Sequence, residues 1–244
     1  MSKRILITGD VHGEIEIMNR FSGKNFPYGK DLTKDDIIIV AGDFGLIWSN
    51  EPSKSEKYYL KWLQDRPWTT CFIDGNHENH PRLLDLPTEK KWDGTVGVVR
   101  DGIYHLRRGE IYNIYGNSIF CMGGALSWDK ARRKEFLSWW SEEVPNHTEM
   151  EYALINLEKH NWTVDFIITH TVPKTITKIV GLKGDKKDAT CDFLEHISQT
   201  IKSYKAWYAG HMHIDKDIGR FRILYYDIVD LTTREKVKSI RRNS

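Results

Sequence analysis

The sequence predicts an α/β protein built around two β-sheets, and three observations carry that prediction. Continuous apolar runs over 4–9, 36–42 and 69–75 alternate with helix-like stretches. Between Val96 and Gly124 the runs become short and closely spaced, leaving little room for helices. Helix and strand signals then alternate again as far as residue 228. Strands that are apolar on both faces belong to a sheet covered on both sides, which is usually parallel. Closely spaced short runs imply antiparallel hairpins instead. No linker-like segment or internal repeat separates the two patterns, so 1–244 reads as a single domain.

The elements follow in order. "RILITG" (4–9) is the first strand, and "EIEIMNRF" (14–21) reads as a helix, although its alternation also fits a strand. "DIIIVAG" (36–42) is the second buried run. "SKSEKYYLKWLQDR" (53–66) has helical spacing, with Tyr59, Leu60, Trp62 and Leu63 near one face. "TTCFIDG" (69–75) is the third strand; "VGVVR", "IYHLRRG", "EIYNIYG" and "SIFCMGG" form the hairpin region. A helix is expected over 148–160, where Thr148 and Glu151 have capping-box spacing. "VDFIITH" (164–170), a helix near 189–203, "AWYAGH" (206–211) and a strand over 222–228 complete the chain.

Composition narrows the function classes. Hydrophobic residues make up 40 % of the chain, enough for a substantial core. Lys and Arg number 36 against 34 Asp and Glu, interspersed, which argues against a dedicated nucleic-acid coat or a membrane-surface protein. The basic tail "REKVKSIRRNS" reads as a solvated terminus. Three scattered cysteines without a C-x-x-C point to a reducing compartment, and Cys71 and Cys121 lie in strand-like runs where buried thiols are inert. Residues 1–9 lack a signal-peptide pattern, and no apolar run approaches the ~18 residues of a membrane span. The expectation is a cytoplasmic protein with no membrane partner; the oligomeric state is left open.

Five strands end in polar residues able to hold metal: "GDVHG" (9–13), "GDFG" (42–45), "GNHEN" (75–79), "THT" (169–171) and "GHMH" (210–213). Ligands bind at the carboxyl ends of parallel strands, so loops far apart in sequence can converge there. Each block alone has an ordinary turn reading. Together they supply Asp10, His12, Asp43, Asn76, His170, His211 and His213, a mixed nitrogen and oxygen set without thiolate. That set suits Mn²⁺, Fe or Zn²⁺ better than Ca²⁺ or an iron–sulfur cluster. Seven donors exceed one tetrahedral zinc and suit two ions sharing a carboxylate, roughly 3.5–4 Å apart. The glycines before each ligand pair permit a sharp exit from the strand.

These blocks, in this order, resemble the calcineurin-like metallophosphoesterase superfamily: Asp-x-His, Gly-Asp, Gly-Asn-His-Asp/Glu, a later His, then Gly-His-x-His. The resemblance covers positions 9 to 213 and is closest to small bacterial and phage members. It implies a four-layer α/β/β/α sandwich of two mixed sheets, with the metal site at the strand C-terminal loops. It further implies that Asp10, His12, Asp43 and His213 serve one metal, and Asp43, Asn76, His170 and His211 the other. Two divalent ions, Mn²⁺ first, would share a bridging hydroxide as nucleophile, and His77 would be the catalytic general acid. The sequence departs from the protein Ser/Thr phosphatase branch, whose second block continues Gly-Asp-x-x-Asp-Arg-Gly; here Leu46 and Ile47 stand in the place of that Asp and Arg.

A substrate phosphate therefore needs a cation from elsewhere. The segment 123–140 offers Arg132 and Arg133 for phosphate and Trp128 for stacking on a base, against the alternative of a solvated turn with packed tryptophans. Arg107 and Arg108 are weaker candidates, and His80, His105, His147, His160 and His196 read as surface or satisfied core histidines. The leading expectation is a phosphoesterase acting on a phosphorylated small molecule, nucleotide or nucleic acid. The alternatives are a phosphodiesterase or nuclease, and a catalytically silent metal-stabilised binding module.

Overall fold

The computed structural model describes residues 3–181 and 188–237, so most of the basic tail lies outside the described residues. In chain order the strands are β1 (Ile5–Thr8), β2 (Ile37–Ala41), β3 (Thr69–Ile73), β4 (Thr88–Lys91), β5 (Gly94–Arg100), β6 (Ile103–Leu106), β7 (Ile111–Ile114), β8 (Asn117–Met122), β9 (Phe166–Thr169), β10 (Ala206–Ala209), β11 (Lys216–Ile218), β12 (Phe221–Ile223) and β13 (Ile228–Asp230). The helices are α1 (Glu14–Phe21), α2 (Lys54–Gln64), α3 (His80–Leu84), α4 (His147–Lys159), α5 (Lys174–Ile179) and α6 (Ala189–Thr200). Among the described residues one sheet has the order β13-β1-β2-β3-β6-β5-β4 and the other β11-β12-β10-β9-β8-β7. Strands β1, β2, β3 and β6 run parallel, as do β8, β9, β10 and β12, and antiparallel strands flank both sets.

Alternation within each strand explains why the runs are apolar throughout. Successive side chains point to opposite faces of a sheet. Ile5, Ile7, Ile37, Ile39 and Cys71 pack towards Ile119, Cys121, Phe166, Ile168 and Tyr208 of the second sheet. Their neighbours Leu6, Ile38, Val40 and Phe72 pack on Ile17 and Phe21 of α1 and on Leu60 and Leu63 of α2. On the far side, Phe120, Ile167 and Trp207 meet Leu157 of α4 and Leu194 and Ile197 of α6. Helices, sheet, sheet and helices make four layers, the expected α/β/β/α sandwich. Residues 14–21 are helical, which resolves the ambiguity of that stretch.

Two local expectations are corrected. The α4 capping box joins Asn146 and Glu149, two residues before Thr148 and Glu151. Both pairs have the required spacing, and Arg108, which ion-pairs with Glu149, favours the earlier one. The run over 222–228 is two strands, β12 and β13, in different sheets. Between them the Asp215 carboxylate accepts the backbone N–H groups of Tyr225, Tyr226 and Asp227, which bends the chain across the sandwich. Strands β4 and β11 carry no apolar signal because they are edge strands with largely exposed side chains. No helix among the described residues is long and apolar enough to cross a membrane.

A half-buried ion pair pins the register of β1 against β2. Arg4 donates through Nε and Nη2 to the two carboxylate oxygens of Asp36 at 2.9 and 3.0 Å. Asp36 also accepts the backbone N–H groups of Arg4 and Thr33. Burial works against the Asp36 charge, but these donors outweigh it and pull its pKa from 3.8 to about 2. A depressed carboxyl stabilises above its unfolded pKa and loses that contribution as pH falls through the folded one. Asp36→Asn is expected to lower stability at pH 7 by about 1 kcal/mol after allowance for solvent screening. In urea melts against pH, the gap to the parent protein should close between about pH 4 and pH 2.

Candidate metal centre

The parallel strands of both sheets deliver the motif blocks to one edge of the sandwich. The motif residues leave their strands in unusual conformations: His12, Asp43, His211 and His213 have φ of 47, 48, 63 and 49°. This left-handed region costs a residue with a Cβ on the order of 1 kcal/mol or more. Four such residues at one edge mark a site where the packing imposes the geometry. The glycines contribute space more than rotation. A Cβ on Gly75 would lie 2.0 Å from Asp43 Oδ1, and one on Gly42, itself at φ 90°, would lie 2.1 Å from the His170 ring.

Asp43 sits at the middle. Its Oδ1 accepts the His77 backbone N–H at 2.8 Å and lies 3.3 Å from His170 Nε2. Its Oδ2 lies 3.8 Å from His12 Nδ1 and 3.9 Å from His77 Nε2. Burial disfavours its charge, yet His170, His77 and His12 hold the carboxyl well below the usual range. Asp10 Oδ1 accepts the His211 backbone N–H at 2.8 Å. Its Oδ2, buried and without a hydrogen bond, lies 3.1 Å from His213 Nε2. His12 Nε2 and His213 Nε2 face each other at 3.0 Å.

His170 donates Nδ1–H to the Ala41 carbonyl at 2.9 Å, which turns Nε2 to the centre. There Nε2 meets two acceptors, Asn76 Oδ1 at 3.1 Å and Asp43 Oδ1 at 3.3 Å. Burial opposes a charge on His170, but Asp43, Asp10 and the Ala41 carbonyl raise its pKa to about 10. Converging acceptors, a buried carboxylate oxygen without a well-formed hydrogen bond and two opposed imidazole nitrogens all call for positive charge. A divalent cation fits this donor set. Three sets of ligand atoms, each within 4.8 Å, overlap here: Asp10, His12 and His213; His12, Asp43 and His77; Asp10, Asp43 and His170.

Of the residues singled out from the sequence, Asp10, His12, Asp43, His170 and His213 come together directly, and Asp43 and His170 bring Asn76 and His77 with them. His211 meets the group through ring contact, 4.9 Å from His170, and burial lowers its pKa to about 3. Trp128 is 57 % exposed and edge-on to the His211 ring at 5.3 Å. Arg133 places Nη1 and Nη2 at 3.2 and 3.3 Å from the two His77 ring nitrogens, with Nε on Asp129 at 2.7 Å. Arg132 is exposed, and its side chain takes no hydrogen bond or ion pair among the described residues. Burial, with the Arg133 charge adding to it and Asp43 opposing, lowers the His77 pKa.

Arg108 and Arg107 lie away from the centre. The Arg108 side chain is buried, donating through Nη2 and Nε to one Asp74 oxygen, Oδ2, at 2.7 and 2.9 Å and through Nη1 to Glu149 at 2.9 Å. Arg107 lines a cavity of about 490 Å³ beside that pair, which none of the motif ligands lines. His80 and His105 belong to the Asp74 cluster as core residues, although each leaves one ring nitrogen without a partner.

Sequence reasoning passed over several residues. Glu78, inside "GNHEN", accepts the N–H groups of Phe44 and Gly45 and so shapes the loop after Asp43. Trp48 stacks on His77 at 6.0 Å and 22°. Tyr225 stacks on His213 at 4.5 Å and 5°. Trp48 ends "GDFGLIW", whose Leu46 and Ile47 are core residues, so its proximity to that block was the one available signal.

The family model for calcineurin-like phosphoesterases matches residues 3–215. Similar curated proteins include the lariat debranching enzyme of Entamoeba histolytica, 26 % identical over 240 residues, covering 87 % of this chain and 64 % of the relative. Those of Danio rerio and Schizosaccharomyces pombe are each 22 % identical over 86 % of this chain, covering 40 % and 48 % of the relatives. The chain thus spans between about two fifths and two thirds of the length of these relatives.

Two outcomes follow from this geometry. Arg108→Leu removes the only permanently charged partner of the buried Asp74 carboxylate among the described residues and should cost about 3–5 kcal/mol in a urea melt. Gly75→Ala forces a methyl against Asp43 Oδ1, so the purified variant should carry less metal than the parent by elemental analysis while keeping its far-UV circular dichroism.

Proposed function

Because the chain belongs to the calcineurin-like phosphoesterase family, we propose that it hydrolyses a phosphoester with two divalent metal ions and His77 as general acid. The observation that carries this reading is the sharing of residues between ligand sets: Asp10, His12 and Asp43 each belong to two. A carboxylate common to two sets is what a bridge between neighbouring ions requires. In this reading Asp10, His12, Asp43 and His213 hold one ion, and Asp43, Asn76, His170 and His211 the other. Mn²⁺ suits the mixed donors, with Fe or Zn²⁺ as alternatives. When bound, such ions lower the pKa of water and neutralise charge on phosphoryl oxygens. The reading takes 1–244 as one metallophosphoesterase domain of a cytoplasmic protein.

The chain's own residues supply the rest. His77 faces Asp43 from the rim, where it can deliver a proton to the departing oxygen. The Arg133 guanidinium beside it can pair with phosphate oxygens in bidentate fashion. Trp48, stacked on the imidazole, holds its plane. Arg132, exposed and without a side-chain partner among the described residues, keeps its guanidinium available to the same phosphate.

A second reading, a diesterase acting on nucleotides or nucleic acid, is favoured by the aromatic rim. Trp128 is 57 % and Tyr226 46 % exposed, and Tyr225 lies under His213. Exposed rings around a phosphate site are stacking platforms for bases. The similarity to proteins named lariat debranching enzymes points the same way.

The test compares p-nitrophenyl phosphate with its bis ester in added Mn²⁺. Turnover of either is expected to fall by at least about 100-fold in His77→Ala and in Asp43→Asn. Preference for the bis ester, and then for short RNA over mononucleotides, selects the diesterase. Absence of turnover with any metal overturns both readings and leaves the silent binding module.

A further inference from the structure

The orientation of Asn76 raises a question that the centre alone does not answer. A carboxamide is nearly symmetric in shape, and only its oxygen can ligate a cation. Something must decide which end faces inward. Asn76 Nδ2 donates to Ser127 Oγ at 3.1 Å. A serine hydroxyl can donate or accept, so this contact settles the question only if the Ser127 proton is committed elsewhere. It is committed to Glu143: Ser127 Oγ donates to Glu143 Oε2 at 2.6 Å, and Ser127 N–H donates to Oε1 at 2.8 Å. An ionised carboxylate accepts only. All three side chains are buried.

The same residues close a loop. Ser127 begins, and Glu143 ends, the excursion that carries Trp128 and Arg133 over the centre. Its two ends are also joined by Ala125 N–H on the Glu143 carbonyl at 3.1 Å. Arg108 grips the carbonyls of Glu142 and Glu143 and the carboxylate of Asp74, two residues before Asn76.

We propose that Glu143 and Ser127 form a polarity relay that points the Asn76 oxygen at the metal centre and ties the 128–142 loop to metal occupancy. Neither residue touches the reacting atoms; both are positioning residues. The inference rests on the metal-centre reading of Asn76. Coupling between sites is reciprocal, so a metal that needs the relay must also steady the loop built on it.

Calorimetric Mn²⁺ titration tests this on the full chain. The parent should bind two ions. Ser127→Ala and Glu143→Gln should each weaken one binding step by about 10–100-fold, leaving the other step and the circular dichroism unchanged. In an Asn76→Ala background, Ser127→Ala should add less than about two-fold, because the group it orients has gone. A merely structural role would make the losses add. Hydrogen exchange over 128–142 should slow with Mn²⁺ in the parent and not in Ser127→Ala. Parent-like affinities in both variants, additive losses, or exchange in the parent insensitive to Mn²⁺ overturn the relay. A parent that binds no Mn²⁺ overturns the metal reading beneath it, and the two failures are distinguishable.

Discussion

The carboxylate of Asp43 is the contact on which the rest of the centre depends. It is buried where the two sheets meet, and groups from both sheets close on it: the His77 backbone and the Gly75 Cα from one, His170 from the other. A buried carboxylate without compensation costs several kcal/mol. Here the compensation is distributed over elements that are far apart in sequence, so the centre is complete only where the two sheets are packed together.

That constraint accounts for features that look separate. Gly42 and Gly75 are small because a Cβ at either would occupy the space of the His170 ring or the Asp43 carboxylate. Glu78 is buried and its carboxyl is pushed up, by burial first and by the Asp43 charge next, because it must accept the N–H groups of the loop that follows Asp43. Four of the twelve left-handed non-glycine residues among the described residues, His12, Asp43, His211 and His213, lie where side chains must turn back over the strand ends they have just left. The apolar sandwich beneath provides the rigidity that holds those conformations.

The periphery shows a division of labour among cations. Arg108 is consumed by structure: Asp74, Glu149 and two carbonyls take its donors. Arg133 reaches His77 from a loop anchored on buried glutamate. Both arginines belong to short basic stretches, and only burial and partners separate the structural one from the one at the centre. Aromatic rings behave likewise. Trp140 is buried and packs edge-on against Trp48, which in turn stacks on His77, so a core tryptophan supports a residue at the rim.

Much of this protein was legible in its sequence. Apolar runs free of alternation specify strands covered on both faces, and the structure has them at β1, β2, β3, β9 and β10. The five polar blocks after those runs named the residues that converge, because parallel strands deliver their carboxyl ends to one edge. Other features depended on tertiary contact. The cap of α4 was chosen between two equal spacings by Arg108, a residue from a distant turn. The break between β12 and β13 was set by Asp215 bonding a backbone ten residues on. Arg108 and Arg133 could not be told apart from their neighbours, nor Trp48 and Tyr225 recognised as partners of histidines. Periodicity and motif spacing are properties of neighbouring residues, so the sequence by itself determined the strands and the types of residue that follow them. The orientation of each of those side chains is fixed by contacts from elsewhere in the fold, and only the tertiary structure decided it.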